Sequence, residues 1–391
     1  MNSSQPPCGT VADPTPVRRN PIRRILLPIV LLVLLIPVVL RGLAGYSPVI
    51  DVRNRVDALG GRMHTTVAAP EFMQSIVGKD WEGWEQFYGG VEVSQIMLDQ
   101  SPVGDEDLVL LQQTPGLRIL GLRGTKITDV GIENLSHVPL LLKLDLGGTG
   151  LTDAGLNALQ SLVDLQDLGI AGTSISDIGL SSLAGLKNLT TLDVSGTKLT
   201  DASLETLSEL PSLKTLVLDQ CHLTDEGLAL LKNCKSLTFL SLEGIPVTGR
   251  FLKELQEVPL EYLNLTRSQC DGTALNDIGK LKTLKNLNLN HCPVADAGVP
   301  TLAAIPGLED LILDNTQITD TAMAGLKDMP FLRSLSLNST SVSAQALREL
   351  KGTPNLKLVK AHNTKVTRGD IDALGVEIKS FVVINTSSGG G

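Results

Sequence analysis

Leucine returns every 24 residues along most of this chain, at Leu117, Leu141, Leu165, Leu189 and Leu213, then at Leu237, Leu260, Leu284, Leu308, Leu332 and Leu356, with one step of 23 between Leu237 and Leu260. A fixed period of this length argues against one thick globular core. Each unit is too small to bury its own apolar side and must stack against the next, which makes a solenoid. Composition agrees: 42% of the 391 residues are hydrophobic but only 3% are aromatic, so the interior is built from Leu, Ile, Val and Ala.

Aligned on that leucine, the units share the frame LxxLxLxxTxxTDxGLxxLxxLxx, as in Leu117-Arg-Ile-Leu-Gly-Leu-Arg-Gly-Thr-Lys-Ile-Thr-Asp. Leucines at positions 4 and 6 alternate with polar residues, the period-two pattern of a short half-buried strand. Position 9 holds Thr125, Thr149, Thr173, Thr197, Cys221, Cys292, Thr316, Thr340 and Thr364, whose hydroxyl or thiol can bond to the backbone of an inward turn. Position 12 is Thr or Ser, usually followed by Asp, as in Thr128-Asp129, Thr152-Asp153 and Ser176-Asp177. That pair predicts a helix start: the hydroxyl caps free N–H groups and the carboxylate sits at the positive end of the helix dipole. A Gly or Ala at position 15 lets neighbouring coils approach. Capping accounts for the Asp column without calcium, since no Gly-Gly-x-Gly-x-Asp pattern occurs.

This frame resembles the leucine-rich-repeat family, and within it the 24-residue form rich in Thr-Asp-x-Gly-Leu found in membrane-anchored planctomycete proteins. The resemblance covers residues 93–386 and implies an α/β horseshoe with a concave parallel sheet and short helices on the convex side. A degenerate first repeat begins at Val93, eleven clearer ones follow, and a closing half-coil runs from Ile378 to Thr386 with Phe381 and Val383 at its strand positions. Residues 47–92 hold Trp81, Trp84, Phe87 and Tyr88 and read as the N-terminal cap; they resemble the helix, Gly pair (here Gly60-Gly61) and strand that precede the repeats in those relatives. Residues 387–391 form a Gly-rich tail.

Ahead of the cap, every residue from Ile25 to Leu40 is apolar or Pro, with Arg18, Arg19, Arg23 and Arg24 before it and Arg41 after. Extended to Tyr46, this stretch reaches the roughly 20 residues that a membrane-spanning helix needs. The arginines predict that residues 1–24 stay in the cytoplasm and that everything after the span is exported, and the Pro- and Ser-rich composition of that tail predicts disorder. A cleaved signal peptide, giving a secreted chain, is the alternative, because Gly42-Leu43-Ala44 offers small residues for a peptidase.

The sequence carries no chemistry-bearing constellation. Its five cysteines lack paired spacing, its five histidines fall at different repeat positions, and neither a nucleophile elbow nor a phosphate-binding loop occurs. No catalytic residue, cofactor or metal is expected. A net charge of -9 with no basic stripe argues against nucleic acid. Binding remains, on the residues at positions 3, 5 and 7 that project from the sheet. Phe239 and Tyr262, in consecutive repeats and flanked by Asp219 and Glu243, are the candidate hot spot, with Val217, Asn264 and Asn288 around them; lateral packing of the two rings on neighbouring strands is the structural alternative. The expected function is non-enzymatic binding of a protein or polysaccharide by a membrane-tethered solenoid. Two alternatives stand beside it: an intracellular substrate receptor, since the repeats also resemble those of F-box adaptors, and a platform for an associated enzyme.

Overall fold

The structure, a computed structural model, describes residues 48–67, 91–327, 329–377 and 382–384. By internal contact the chain divides into two units, one of residues 1–51 and 67–91, the other of residues 52–66 and 92–391. Of the first unit, residues 48–51, 67 and 91 are described; residues 48–51 open the helix Pro48–Ala58. Residues 25–46, Trp81, Trp84, Phe87, Tyr88, Phe381 and the tail 387–391 lie outside the described residues. Among those described, no helix is long and apolar enough to cross a membrane.

The second unit is a stack of coils. Among the described residues, fourteen strands lie side by side in chain order, and from Val91–Met97 to Val382–Ile384 every neighbouring pair is parallel. Most strands have three residues, and the middle one points inward: Leu144, Leu168, Leu192, Leu216 and Leu240 are fully buried. The rest of each coil follows the frame. In the repeat beginning at Leu141, Leu144, Leu146, Leu151, Leu156, Leu159 and Leu162 are all buried, and each contributes about 1.5–3 kcal/mol of hydrophobic stabilisation.

Both polar columns behave as their chemistry requires. The position-9 hydroxyls of Thr125, Thr149, Thr173, Thr197, Thr316, Thr340 and Thr364 donate to the carbonyl three residues earlier at 2.6–2.8 Å. The hydroxyls of Thr128, Thr152, Ser176, Thr319 and Ser343 accept a backbone N–H two residues on, and that of Thr224 accepts one three residues on. The helices they start are short, commonly four α residues continuing into a 3-10 turn, as in Asp153–Leu156 and Asn157–Ser161.

The aspartates after these caps do more than face a dipole. Each reaches forward to the next coil, where one carboxylate oxygen accepts the N–H of the following Thr or Ser and a hydroxyl donation completes a two-bond strap. Asp153, for example, accepts the Ser176 N–H at 2.7 Å and the Ser176 hydroxyl at 2.5 Å. Equivalent straps join Asp105 to Thr128, Asp129 to Thr152, Asp177 to Thr200, Asp201 to Thr224, Asp225 to Thr248, Asp296 to Thr319 and Asp320 to Ser343. The carboxylate lies over the position-15 residue of the next coil, which explains the glycine there: a Cβ on Gly155 or Gly227 would run into the Oδ1 of Asp129 or Asp201.

The ladder breaks where the period does. In the 23-residue coil, Asp225 also accepts the N–H groups of Gly249 and Phe251, Gly249 takes a left-handed conformation at φ +90°, and Phe251 fills the core where most other coils have Gly or Ala. The next joint also lacks a strap, because Gly272 and Ala295 replace the aspartate and its hydroxyl partner; Asp271 holds its own Thr273 instead.

Candidate functional site

With the middle residue of each strand turned inward, the residues on either side of it face outward and line up across the sheet. Thr215, Phe239, Tyr262 and Asn286 stand in one row, and Val217, Ser241, Asn264 and Asn288 in the next. Phe239 and Tyr262 are both half-buried and stack on each other, ring centroids 4.1 Å apart and planes within 4°. The lateral-packing reading therefore holds in part, since each ring spends one face on the other, yet both remain partly exposed on the sheet. Such a stack contributes about 0.5–1.5 kcal/mol beyond area burial.

A hydrogen-bonded chain runs beside the rings. Ser241 donates its hydroxyl to Asp219 at 2.6 Å, and the Glu243 N–H donates to the same carboxylate oxygen at 2.7 Å. The Asn264 amide donates to the Ser241 hydroxyl at 3.0 Å, while its own carbonyl accepts the N–H and hydroxyl of Thr266. Of the residues singled out from sequence, the structure thus places Asp219 and Glu243 on adjacent strand ends near the rings. Val217 sits two strands away from Asn264, with Ser241 between them. Asn264 itself is only 7% exposed, and its amide is committed within the sheet, so it braces the surface instead of offering a contact. Asn288 accepts the Asn290 N–H and stays half-exposed.

Burial raises the Asp219 pKa above its ordinary 3.8, and the neighbouring carboxylates Glu243 and Asp193 push the same way, against the Ser241 and Glu243 N–H bonds that lower it. Burial, then the charges of Asp219 and Glu243, raise the Tyr262 phenol. Folded Asp219 therefore holds its proton more tightly than the unfolded chain does. Its contribution to stability is most favourable below pH 3.8 and declines as pH rises through the raised value. Asp219→Asn keeps an acceptor oxygen and removes the charge, and is expected to raise Tm at pH 7 by about 1–3 °C, with the gain disappearing in acid. Thermal melts of both proteins at pH 7 and pH 3.5 check this, and a lower Tm at pH 7 would contradict it.

Sequence reasoning missed a groove. Position 8, at the turn after each strand, is left-handed throughout: Gly124, Gly148, Gly172, Gly196 and Gly244 have φ between +64° and +76°, and Gln100, Gln220, Arg267, His291, Asn315, Ser339 and Asn363 between 53° and 61°. Where four consecutive repeats use glycine the floor is bare, leaving a groove of about 430 Å³ bounded by Gln100 and Gln220 and also lined by Asp219 and Glu243. The glycine column was readable in the sequence, but only as part of a turn.

Two leucine-rich-repeat family models match the chain, one over residues 163–223 and the other over 139–159 and 280–303. Those matches fall on the same 24-residue coils that stack into the parallel sheet. The fold is a leucine-rich-repeat solenoid. Among solved structures, an internalin (inlF) from Listeria monocytogenes matches with a TM-score of 0.55 and 20% identity, over 82% of this chain and 94% of that one. An internalin C2 (inlC2) from the same organism matches 63% of this chain and 80% of its own at 22% identity, with a TM-score of 0.39. No curated protein matches the sequence.

Within the leucine-rich repeats the cysteines are core residues. Cys221, Cys234, Cys270 and Cys292 are free and buried, and burial pushes the Cys234 thiol up to about 11 and the Cys270 thiol up to about 12. Thiols held that high are protonated at neutral pH and poor nucleophiles. Cys221 and Cys292 stand at position 9 but bond differently from the threonines, donating to the carbonyls of Val194 and Leu265 in the preceding coil. Among the described residues no group of His, Cys, Asp and Glu is arranged to hold a metal ion.

Proposed function

We propose that this leucine-rich-repeat chain is a non-enzymatic recognition protein that binds a protein partner on the open face of its sheet. The observation that carries the reading is the Phe239–Tyr262 stack: two partly exposed aromatics on a mostly polar sheet face, set on adjacent strands and bordered by Asp219 and Glu243. Rigid, partly exposed aromatics surrounded by polar groups are where binding energy concentrates in protein interfaces. Each ring already gives one face to the other, which favours a protein over a polysaccharide, whose sugars need free ring faces. The segment Ile25 to Tyr46, apolar but for Arg41 and with arginines before it, tethers the protein to a membrane with residues 1–24 cytoplasmic and the repeats on the opposite side.

Two measurements test the proposal on the full-length chain in intact cells. Protease added outside the cytoplasm is expected to digest the repeats; complete protection would place them on the other side. In crosslinking capture, Phe239→Ala with Tyr262→Ala is expected to lower partner recovery about tenfold while lowering Tm by no more than about 5 °C. Undiminished recovery would remove the aromatic pair from the interface.

A further inference from the structure

Charge is unevenly matched along the open face. Earlier in the sheet, the two cations of the repeat columns each have a carboxylate: Arg123 lies 3.6 Å from Asp145, and Lys143 lies 2.6 Å from Asp167. Across the six strands from Thr191–Asp193 to Asp310–Ile312, the outward columns and the turns that follow carry Asp193, Asp219, Glu243, Asp310 and Asp314 against one arginine, Arg267, which is already paired with Glu243 at 3.0 Å. Four carboxylates there are left without a cation from their own columns.

Three of the four are held in position by neutral donors. Asp193 accepts the N–H and hydroxyl of Ser195, Asp219 accepts Ser241 and the Glu243 N–H, and Asp314 accepts the N–H and side-chain amide of Asn338. Neutral donors orient a carboxylate but leave its charge in place. Like charges set on neighbouring strands repel, so the folded protein carries an electrostatic cost that an arriving cation would remove. With strands about 4.8 Å apart, the six span about 24 Å, the length of an extended segment of about seven residues.

We infer that the partner is a basic polypeptide, which lays a Lys- and Arg-rich segment across the six central strands with its cations on Asp193, Asp219, Asp310 and Asp314 and an apolar side chain on the Phe239–Tyr262 stack. This rests on the sheet-face reading above and adds the partner's chemistry. The salt-bridged strands that carry Arg123 and Lys143 mark one end of the contact, because their carboxylates already have cations and offer an arriving one no unmatched charge.

Fluorescence anisotropy on the full-length protein tests it with three labelled peptides: a repeat of Lys-Ser-Lys-Leu, the same repeat with Gln for Lys, and the same with Glu for Lys. The Lys peptide is expected to bind, to weaken as salt rises, and to weaken about tenfold on Asp193→Asn with Asp219→Asn, which keep their acceptor oxygens. Glu205→Gln with Glu226→Gln makes the same charge change on exposed residues of the helices Ser203–Ser208 and Asp225–Leu228, and is expected to alter binding less than about twofold. Absence of Lys-peptide binding, equal binding of the Gln or Glu peptide, or equal weakening by the helix-side pair would overturn the inference. If the Gln peptide binds and is released by Phe239→Ala with Tyr262→Ala, charge is refuted and the sheet face stands as the docking surface. A Lys peptide indifferent to both face pairs refutes the face as well.

Discussion

Asp153→Ala is expected to destabilise the protein by about 3 kcal/mol, measured by equilibrium urea unfolding. The Asp153 carboxylate takes two hydrogen bonds from Ser176, 23 residues further on, and hydrogen bonds to a charged acceptor contribute about 1.5–3 kcal/mol each. Removing the acceptor leaves the part-buried Ser176 N–H and hydroxyl without their partner. Two companions make the assignment specific. Asp153→Asn keeps one acceptor and is expected to cost less than half as much. Ser176→Ala is expected to add little in the Asp153→Ala background, since residues joined by one strap are not additive. A cost below about 1 kcal/mol for Asp153→Ala, or full additivity with Ser176→Ala, would reduce the column to a helix-dipole effect.

The reverse experiment supplies a strap where the chain has none. Gly272→Asp with Ala295→Thr recreates the pair found at eight other joints, and is expected to stabilise the protein by about 2 kcal/mol and to slow amide hydrogen exchange over residues 271–300. The new Cβ fits: on Gly272 it would meet the Cα and N of Gly298 at 3.6 Å, an ordinary contact, and Gly298 has no Cβ of its own to stand in the way of the carboxylate. Each single substitution supplies half the strap and is expected to give little. In a stack where each coil touches only its neighbours, the weakest joint opens first, so local exchange should respond more than the average across the chain. Unchanged exchange at this joint would show that the straps follow stacking instead of causing it.

Much of this protein was legible in its residues because a leucine-rich repeat is mostly local. The leucines at positions 4 and 6 of each repeat specify a half-buried strand, and a Thr followed by Asp specifies a helix start, within a few residues of chain. The caps of Thr128, Thr152 and Ser176 and the position-9 hydroxyls of Thr125 and Thr149 follow from that pattern alone. The periodicity also placed Phe239 and Tyr262 in one outward column, since equal position in consecutive coils means adjacency on the sheet.

What the pattern could not supply is anything set by how one coil rests on the next. Asp153 reads as a helix-start residue beside Thr152, yet its bonding partner is Ser176, and only the stacked coils bring the two together. Asn264 reads as an outward contact residue until Ser241 of the neighbouring strand takes up its amide, and Gly148 reads as a turn until three more glycines line up beside it as a groove floor. Sequence by itself determined the coil, its strand, its cap and the interior leucines, because those depend on spacing within one repeat. Tertiary structure decided the straps, the ring stack and the unmatched carboxylates of the sheet face, because each depends on distances between side chains about two dozen residues apart that come together only once the coils are stacked in register.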